Sequence, residues 1–497
     1  MKTDRPVSGA RRWPFSLSLE ERAGVTEPLF RRISRAIAAE IQRGRLRPGM
    51  KLPGTRTLAR TLHVHRNTVL AAYEELAGEG WTEPARASGT FVSRSLPDMK
   101  PKPFARRTTS RDTTPGRLGF DLGPDPVPLP AAQPTGAVFM SLGVPDVRLA
   151  PTTQLARAYR RVIRSAPAEL LSYGHPHGHP RLREALAGML STTRGLASAW
   201  RHVMVTSGSQ MALELVSRAL IRPGDAVAIE EIGYRQAWKA FQHYGARLLP
   251  IPVDAAGLDV EALAEQARRT PLRAVYVTPH HQYPTTATLS AGRRLALLDL
   301  AKQLKFAVIE DDYDHEYHYD GRPVLPLASA DQAGVVIYIG TLAKILAPGV
   351  RLGYVVAPEA LVDRLAAHRS VIDRQGDHLV ECAVADMLEH GEVQRHARKT
   401  RRIYASRRDC LARTLRRELG AELSFNVPPG GINLWATTAP GIDVDKWAAR
   451  ALEHGVVLYT GKYYSFDGRS RPHVRFGYAA LEPHEMEEAV RRLKSAL

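Results

Sequence analysis

The sequence predicts an α/β chain with a mostly parallel sheet covered by helices on both faces, preceded by a small helical module that ends in a hairpin. Two observations carry this expectation. From Val138 onward, short fully apolar runs alternate with segments of helical period, and strands apolar on both faces belong to sheets that are buried on both faces. Before Val92 the chain is instead amphipathic and basic, with apolar residues at helical spacing. At 497 residues the chain exceeds a single core. We divide it into 1–93, a linker over 94–130, and 131–497.

The elements follow in order. Arg11-Arg12-Trp13-Pro14-Phe15 faintly resembles a twin-arginine export signal. The apolar stretch after it is short and runs into Glu20-Glu21, which marks a solvated lead-in. Leu29, Ile33, Ile37 and Ile41 form one apolar stripe, with Arg31, Arg32 and Arg35 off it. That helix stops in Gly44-Arg45-Leu46-Arg47-Pro48-Gly49. A second helix is expected from near Gly54 to Leu62. A third, from about His65 to Gly78, carries Val69, Tyr73 and Leu76 inward. Trp81 to Val92 reads as a hairpin with Ser88-Gly89-Thr90 at or near its tip. Three helices and a wing make a winged helix-turn-helix, whose third helix enters the major groove of DNA. The stretch rich in Pro, Thr, Arg and Gly up to about Pro130 reads as a linker.

Strands are expected at His202 to Thr206, Ala226 to Ile229, Ala274 to Val277, Phe306 to Ile309 and Val335 to Ile339. Helices are expected at Ser209 to Leu220 and Arg293 to Leu304. The most telling string follows the last strand: Gly340-Thr341-Leu342-Ala343-Lys344-Ile345-Leu346-Ala347-Pro348-Gly349-Val350-Arg351-Leu352-Gly353-Tyr354. A lysine just past an apolar strand, then a Pro-Gly turn and a buried-looking arginine, suits pyridoxal phosphate (PLP). That cofactor needs an amine for its aldehyde, here Lys344 as a Schiff-base lysine, and a fixed cation for its phosphate. Thr206-Ser207-Gly208-Ser209-Gln210 leaves a strand and opens a helix, so backbone N–H groups and the Ser207 and Ser209 hydroxyls offer an anion site. Glu310-Asp311-Asp312-Tyr313 ends an apolar strand, where ligands bind in such sheets.

The net charge of +18 points to a polyanionic partner, nucleic acid before membrane. Two cysteines exclude a disulfide framework or an all-cysteine zinc site and fit a reducing cytoplasm. No metal site is assigned. No apolar run is long enough to cross a bilayer.

The first part resembles the GntR family of bacterial DNA-binding domains. The match rests on Pro28-Leu29-Phe30, Gly44-x-Leu46-x-x-Gly49-x-x-Leu52-Pro53, Arg56-x-Leu58-Ala59, Val64-x-Arg66-x-Thr68-Val69, Ala72-Tyr73-x-x-Leu76, Glu79-Gly80-Trp81 and Gly89-Thr90-Phe91-Val92. The resemblance implies DNA contacts by Arg56, His65, Arg66, Asn67 and Thr68, with Arg86 and Ser88 on the wing. Gly54 stands where the family usually has a Ser or Thr cap.

The remainder resembles fold-type I aminotransferases, the aspartate aminotransferase superfamily, which implies a PLP-binding, dimer-forming domain with a small C-terminal α+β part. By that resemblance Ser207, Gly208, Ser209, Thr341 and Arg351 hold the phosphate. Tyr173, in Tyr173-Gly174-His175-Pro176-x-Gly178, reaches the partner subunit's phosphate. Asp311 pairs with the pyridine nitrogen, Tyr313 bonds the ring hydroxyl, Tyr234 stacks on the ring and Arg475 binds an effector carboxylate. In Thr278-Pro279-His280-His281-Gln282-Tyr283-Pro284-Thr285-Thr286 the usual Asn-Pro-Thr-Gly is altered: Tyr283 stands near the place of the ring-facing Asn, and Thr286 replaces Gly. Ala343 replaces a common serine.

The combination resembles the MocR subfamily of transcription regulators. It implies a cytoplasmic homodimer, arranged head to tail, that binds operator DNA and responds to PLP, an amine or an amino acid. An active aminotransferase with a fused DNA-binding domain is the alternative, and a half-reaction of transamination stays open under either reading. A module for RNA or phospholipid is a third.

Overall fold

The computed structural model describes residues 27–85, 89–97, 136–141, 143–321 and 324–497, together with Leu17, Leu19, Phe120 and Pro134. The expected lead-in signal, most of the expected linker, and the wing residues Arg86 and Ser88 lie outside the described residues. The chain divides into two compact units, 1–121 and 122–497.

In the first unit α1 spans Leu29–Gln42, α2 Thr55–Leu62 and α3 Arg66–Gly78; β1, Thr82–Ala85, pairs antiparallel with β2, Gly89–Val92, with Thr82 opposite Val92. Ile33, Ile37 and Ile41 of α1 meet Leu58, Val69, Ala72, Leu76 and Trp81 in one core. Leu29, the first residue of the expected stripe, is 38% exposed because it opens the helix beyond that core. The Tyr73 hydroxyl donates to the Pro53 carbonyl at 2.8 Å, tying α3 to the turn before α2. No side chain caps α2 at Gly54. At the start of α3, His65 Nδ1 accepts the Asn67 N–H at 3.2 Å, so His65 serves as the helix cap.

The second unit is built on a seven-stranded sheet. Its strands are β3 Val203–Thr206, β4 Ala226–Glu230, β5 Arg247–Ile251, β6 Leu272–Val277, β7 Ala307–Asp312, β8 Val336–Thr341 and β9 Gly353–Val356. They lie in the order β3-β9-β8-β7-β6-β4-β5. β9 runs antiparallel to both neighbours and the other pairs are parallel. Alternation along β3 shows why the strands are fully apolar: Val203 and Val205 pack into one helical layer, with Leu182, Leu186 and Val384, while Met204 packs into the other, with Leu213, Val216 and Phe241. α4, Ser209–Leu220, follows β3, and α5, Ala291–Leu304, precedes β7.

A smaller layer closes the chain. Strands β10 Leu423–Ser424, β11 Asn433–Thr438 and β12 His473–Gly477 form an antiparallel sheet, β10-β11-β12. They pack with residues of the helices Glu392–Leu419, Val444–Glu453 and Pro483–Ser495 around the fully buried Trp447. This layer also takes in the start of the unit, where Val138–Phe139 pairs in parallel with Val456–Val457.

Thr286 takes φ +64, a left-handed conformation that is costly for a β-branched residue. Left-handed backbone costs an L-residue roughly 1–2 kcal/mol, and glycine gives back about 0.5–1 kcal/mol through its freer unfolded chain. Thr286→Gly should therefore stabilise the second unit by roughly 0.5–1 kcal/mol, read as a higher urea midpoint. A lower midpoint would show that the Thr286 hydroxyl, 2.6 Å from the Thr285 carbonyl, outweighs the strain.

Candidate cofactor site and DNA-reading surface

The carboxyl ends of β3, β6, β7 and β8 converge on a cavity of about 210 Å³ lined by Gly208, Ser209, Tyr234, Tyr276, Tyr283, Asp311, Tyr313, Thr341, Lys344, Arg351 and Arg475, among others. Most of the residues expected to hold the cofactor are thus brought together from segments far apart in the chain. Ser207 and Tyr173 are not in the lining. The Ser207 carbonyl accepts Arg351 Nη2 at 2.7 Å. Tyr173 is 75% exposed, with the Arg374 guanidinium 3.9 Å above its ring.

Asp311, next to last in β7, is 5% exposed. Its Oδ2 accepts the Tyr276 hydroxyl at 2.8 Å, and its Oδ1 is buried without a partner. Burial pushes its pKa up to about 7, against the Tyr276 bond. Lys344 follows β8, and its Nζ donates to the Gly143 carbonyl at 2.6 Å. Burial, helped by the charge of Arg475, lowers the Lys344 amine to about 8.

At the phosphate end, Gly208 caps α4 with φ +88, and no side chain caps that helix. A Cβ there would sit 3.4 Å from the Arg351 guanidinium, so the glycine lets helix terminus and cation face one space. Arg351 is exposed rather than buried as its apolar neighbours suggest, because it caps a short turn in the left-handed region (φ 56) at the edge of the cavity. The Thr341 hydroxyl accepts the Ala343 N–H at 3.1 Å, fixing the turn that carries Lys344.

Arg475 on β12 is 3% exposed, and no carboxylate pairs with it among the described residues. Its Nη1 lies 3.3 Å from the Ser141 carbonyl and 3.4 Å from the Tyr283 hydroxyl, while Nε has no partner. The Tyr283 ring stands 4.3 Å from this guanidinium, edge-on to Tyr234 and Tyr313 at 5.3 and 6.0 Å. Tyr283, and not Gln282, faces the cavity: Gln282 is turned inward, donating to the Ile232 and Tyr283 carbonyls at 2.8 and 2.7 Å. The Tyr313 hydroxyl donates to the His281 carbonyl at 3.1 Å.

Sequence reasoning missed Tyr276 and Gly143. Tyr276 is hidden in a run that reads as apolar core, although a buried tyrosine hydroxyl needs an acceptor and so signals one nearby. Gly143 carries no side-chain signal; a Cβ there would meet Arg475 at 2.6 Å.

The site fits PLP. An unpartnered buried carboxylate oxygen suits a pyridinium N–H, an amine of lowered pKa suits an aldehyde, and the helix start with Arg351 suits a phosphate. In the first unit Arg56, His65, Arg66 and Asn67 are exposed and Thr68 half-buried, on the side of the helix pair opposite the core. Arg66 Nε lies 3.4 Å from Thr55 Oγ1 at the start of α2.

Comparison with known proteins agrees with both halves. Residues 29–92 match the family described as bacterial regulatory proteins, gntR family, and residues 137–493 match aminotransferase class I and II. The probable rhizopine catabolism regulatory protein MocR of Rhizobium meliloti is 32% identical over 472 residues, 94% of each chain. The HTH-type pyridoxine biosynthesis transcriptional regulator PdxR of Corynebacterium glutamicum is 32% identical over 402 residues, 81% of each chain. Among solved structures, the multiple substrate aminotransferase of Thermococcus profundus superposes with TM-score 0.69 at 28% identity, covering 73% of this chain and 92% of that one. The α-aminoadipate aminotransferase LysN of Thermus thermophilus superposes with TM-score 0.68 at 28% identity, with the same coverage. Pyridoxal phosphate is the cofactor of this aminotransferase family, and the chain belongs to the MocR group of HTH-type regulators, a GntR-type DNA-binding domain joined to a class I and II aminotransferase domain.

Proposed function

We propose that the protein is a PLP-dependent, sequence-specific transcription regulator that works in the cytoplasm as a head-to-tail homodimer. It binds operator DNA through α3 and senses PLP, or an amine or amino acid that reacts at Lys344. The observation that carries this reading is Arg475. A buried guanidinium with no acid partner, in the cavity that also holds Lys344, calls for a ligand carboxylate.

When bound, PLP supplies an aldehyde and an electron-withdrawing ring. The chain's residues do the rest. Asp311 holds the ring nitrogen's proton, Arg351, Thr341, Ser207, Ser209 and the start of α4 bind the phosphate, and Tyr234 and Tyr283 wall the ring. Tyr173 serves the partner subunit's site. Lys344 is the nucleophile, and Arg475 orients an amino acid by its carboxylate. On the DNA side, Arg66, Asn67 and Thr68 read bases. Arg56 and Arg86 hold phosphates, Ser88 joins Arg86 in contacting DNA as the second wing residue, and His65 fixes the start of α3.

An effector can shift DNA affinity only by binding two conformations unequally; coupling of about 1–3 kcal/mol corresponds to roughly 5–150-fold. Titrating operator DNA with apo-protein, PLP-loaded protein, and loaded protein plus a panel of amino acids tests this. Equal affinity in all three would reject the sensing role. Sustained transamination with a 2-oxo acid would favour the aminotransferase reading.

Two further outcomes are expected. An amine that titrates near 8 is a nucleophile only in its deprotonated form, so covalent capture of PLP by apo-protein should speed up about tenfold per pH unit below about 8 and level off above it. The yellow, borohydride-reducible band should be absent in Lys344→Ala. A capture rate independent of pH from 6 to 9 would contradict the lowered Lys344 pKa. On DNA, Arg66→Ala should cost about 1–3 kcal/mol on the operator and relax specificity, whereas Arg56→Ala should weaken all sequences alike and reduce the salt slope by about 1. Unchanged operator affinity in Arg66→Ala would refute the assignment of α3 as the reading helix.

A further inference from the structure

The segments that leave the adjacent strands β6 and β7 carry four histidines, His280, His281, His315 and His318, which the cofactor chemistry does not use. Their rings gather around His280, with centroids 4.3 Å away for His281, 4.7 Å for His315 and 6.1 Å for His318. His280 is 4% exposed, and both of its nitrogens are buried without a hydrogen-bond partner. His318 has only a contact with the Asp320 backbone. Leaving the His280 nitrogens without partners costs about 1–3 kcal/mol each, so the cluster is expensive unless something coordinates it.

Donor atoms of His280, His281 and His318 lie within 4.8 Å of one another, and so do those of His280, Asp312 and His315. The two sets are chemically unequal. Asp312 Oδ2 already accepts the Tyr338 hydroxyl at 2.6 Å and lies 3.8 Å from Arg194 Nε, so a cation there would face a guanidinium. Among the described residues no guanidinium is ion-paired within the three-imidazole set; Arg294, whose charge acts on His280, is held by the Leu289, Leu325 and Pro279 carbonyls. Asp314 Oδ1 lies 2.8 Å from His281 Nδ1, which fixes that ring by its far nitrogen and leaves Nε2 to coordinate, the arrangement typical of metal-bound histidines. A Cβ on Gly430, whose backbone bridges to that of His318, would sit 2.5 Å from that Nε2, so the glycine leaves the nitrogen room.

We propose that His280, His281 and His318 bind a divalent transition metal ion of the zinc class, with the Asp314 carboxylate orienting His281. Zinc–nitrogen bonds of about 2.0–2.1 Å need the donor atoms to draw together by roughly an ångström, within the reach of side-chain torsions. His318, half-buried, also lines a cavity of about 220 Å³ shared by Glu316, Gln394, Arg398 and Arg401; it gives the ion an entry path, past two guanidinium groups, and a place for a water ligand. Neutral imidazole donors suit zinc, cobalt(II) and nickel(II) rather than magnesium or calcium. The signal in the sequence is a His-His pair and a His-x-x-His pair at the ends of two neighbouring strands, a proximity visible only once strand order is known.

The test uses full-length, untagged protein, PLP-loaded and stripped of metal by chelator. Equilibrium dialysis with zinc chloride should give one equivalent per chain. Cobalt(II) should give visible bands of a nitrogen-ligated site without thiolate charge transfer. His280→Ala and His318→Gln should lose the equivalent, Asp314→Asn should weaken it about 10–100-fold, and His315→Ala should retain it. Should His280→Ala fail to fold, the half-buried His318→Gln decides alone. Absence of stoichiometric binding, binding that survives His318→Gln, or loss in His315→Ala would each overturn the proposal.

Discussion

The Asp311 carboxylate is sealed at the end of a central strand, and much of the cavity answers to that placement. Taking a carboxylate out of water costs several kcal/mol unless a partner offsets it, and only one of its oxygens has a partner, the Tyr276 hydroxyl. The unpaired oxygen favours a ligand bearing an acidic N–H. The same loss of solvent acts with opposite sign on Lys344, raising the acid and lowering the amine, so both titrate close to neutrality. One physical cause thus brings an acid and an amine toward neutrality together. Arg351 and Arg475, drawn from distant segments, give the same cavity cations for two anionic ends of a ligand.

Strand geometry gives three consecutive buried acids different surroundings. Glu310, Asp311 and Asp312 alternate across the sheet. Asp311 faces the cofactor cavity. Glu310 turns away to accept the Leu327 and Ala328 N–H groups at 2.7 and 2.9 Å, and burial, with the charge of Asp312, raises its pKa to about 7. Asp312 also turns away, to the Tyr338 hydroxyl, with Arg194 and His315 beside it. The contact with His315 and the charge of Arg194 overcome the desolvation and hold its pKa well below the usual carboxylate range. The histidine cluster stands on this side of the same segment, so β7 organises ligand chemistry on one face and a charge-and-imidazole layer on the other.

Elements with strong local signals were legible in the sequence. The helix Ser209–Leu220 coincides with its expectation, and the strands around Lys344 and Asp311 lie within a few residues of theirs. Less regular elements were not. β5 contains Pro250, tolerated because the strand lies at the sheet edge, yet the proline breaks the strand pattern in the sequence. β9 is a four-residue strand, short enough to read as the tail of the Lys344 string, and its antiparallel direction depends on neighbours the sequence does not specify. The pairing of Val138–Phe139 with Val456–Val457 joins segments more than 300 residues apart, beyond any local pattern. Within the site, motif residues could be placed, but whether a side chain faces the cavity depends on its rotamer and register. That is why Ser207 falls outside the lining, Arg351 is exposed, and Tyr276 emerges only from the fold.

Tyr283 bears most directly on how such a site differs from a turnover site. Where the resembling enzymes place an amide beside the ring, this chain places a phenol wedged among Tyr234, Tyr313 and Tyr464 and stacked against Arg475. The hydroxyl can still offer one hydrogen bond, but it cannot act as donor and acceptor from two separate atoms as an amide does. Its aromatic body also excludes water and makes the cation–π contact that holds Arg475 in position. The Glu230–Thr278 bond at 2.8 Å, and the Tyr283 N–H to Thr278 at 2.9 Å, lock the segment that presents it. Lys344 and Arg475 both line this cavity, and beside them the Tyr283 phenol contributes packing where an amide would contribute a separate donor and acceptor. A site altered in that way favours an occupied, well-packed state over passage through it, which is what a sensor requires of a ligand.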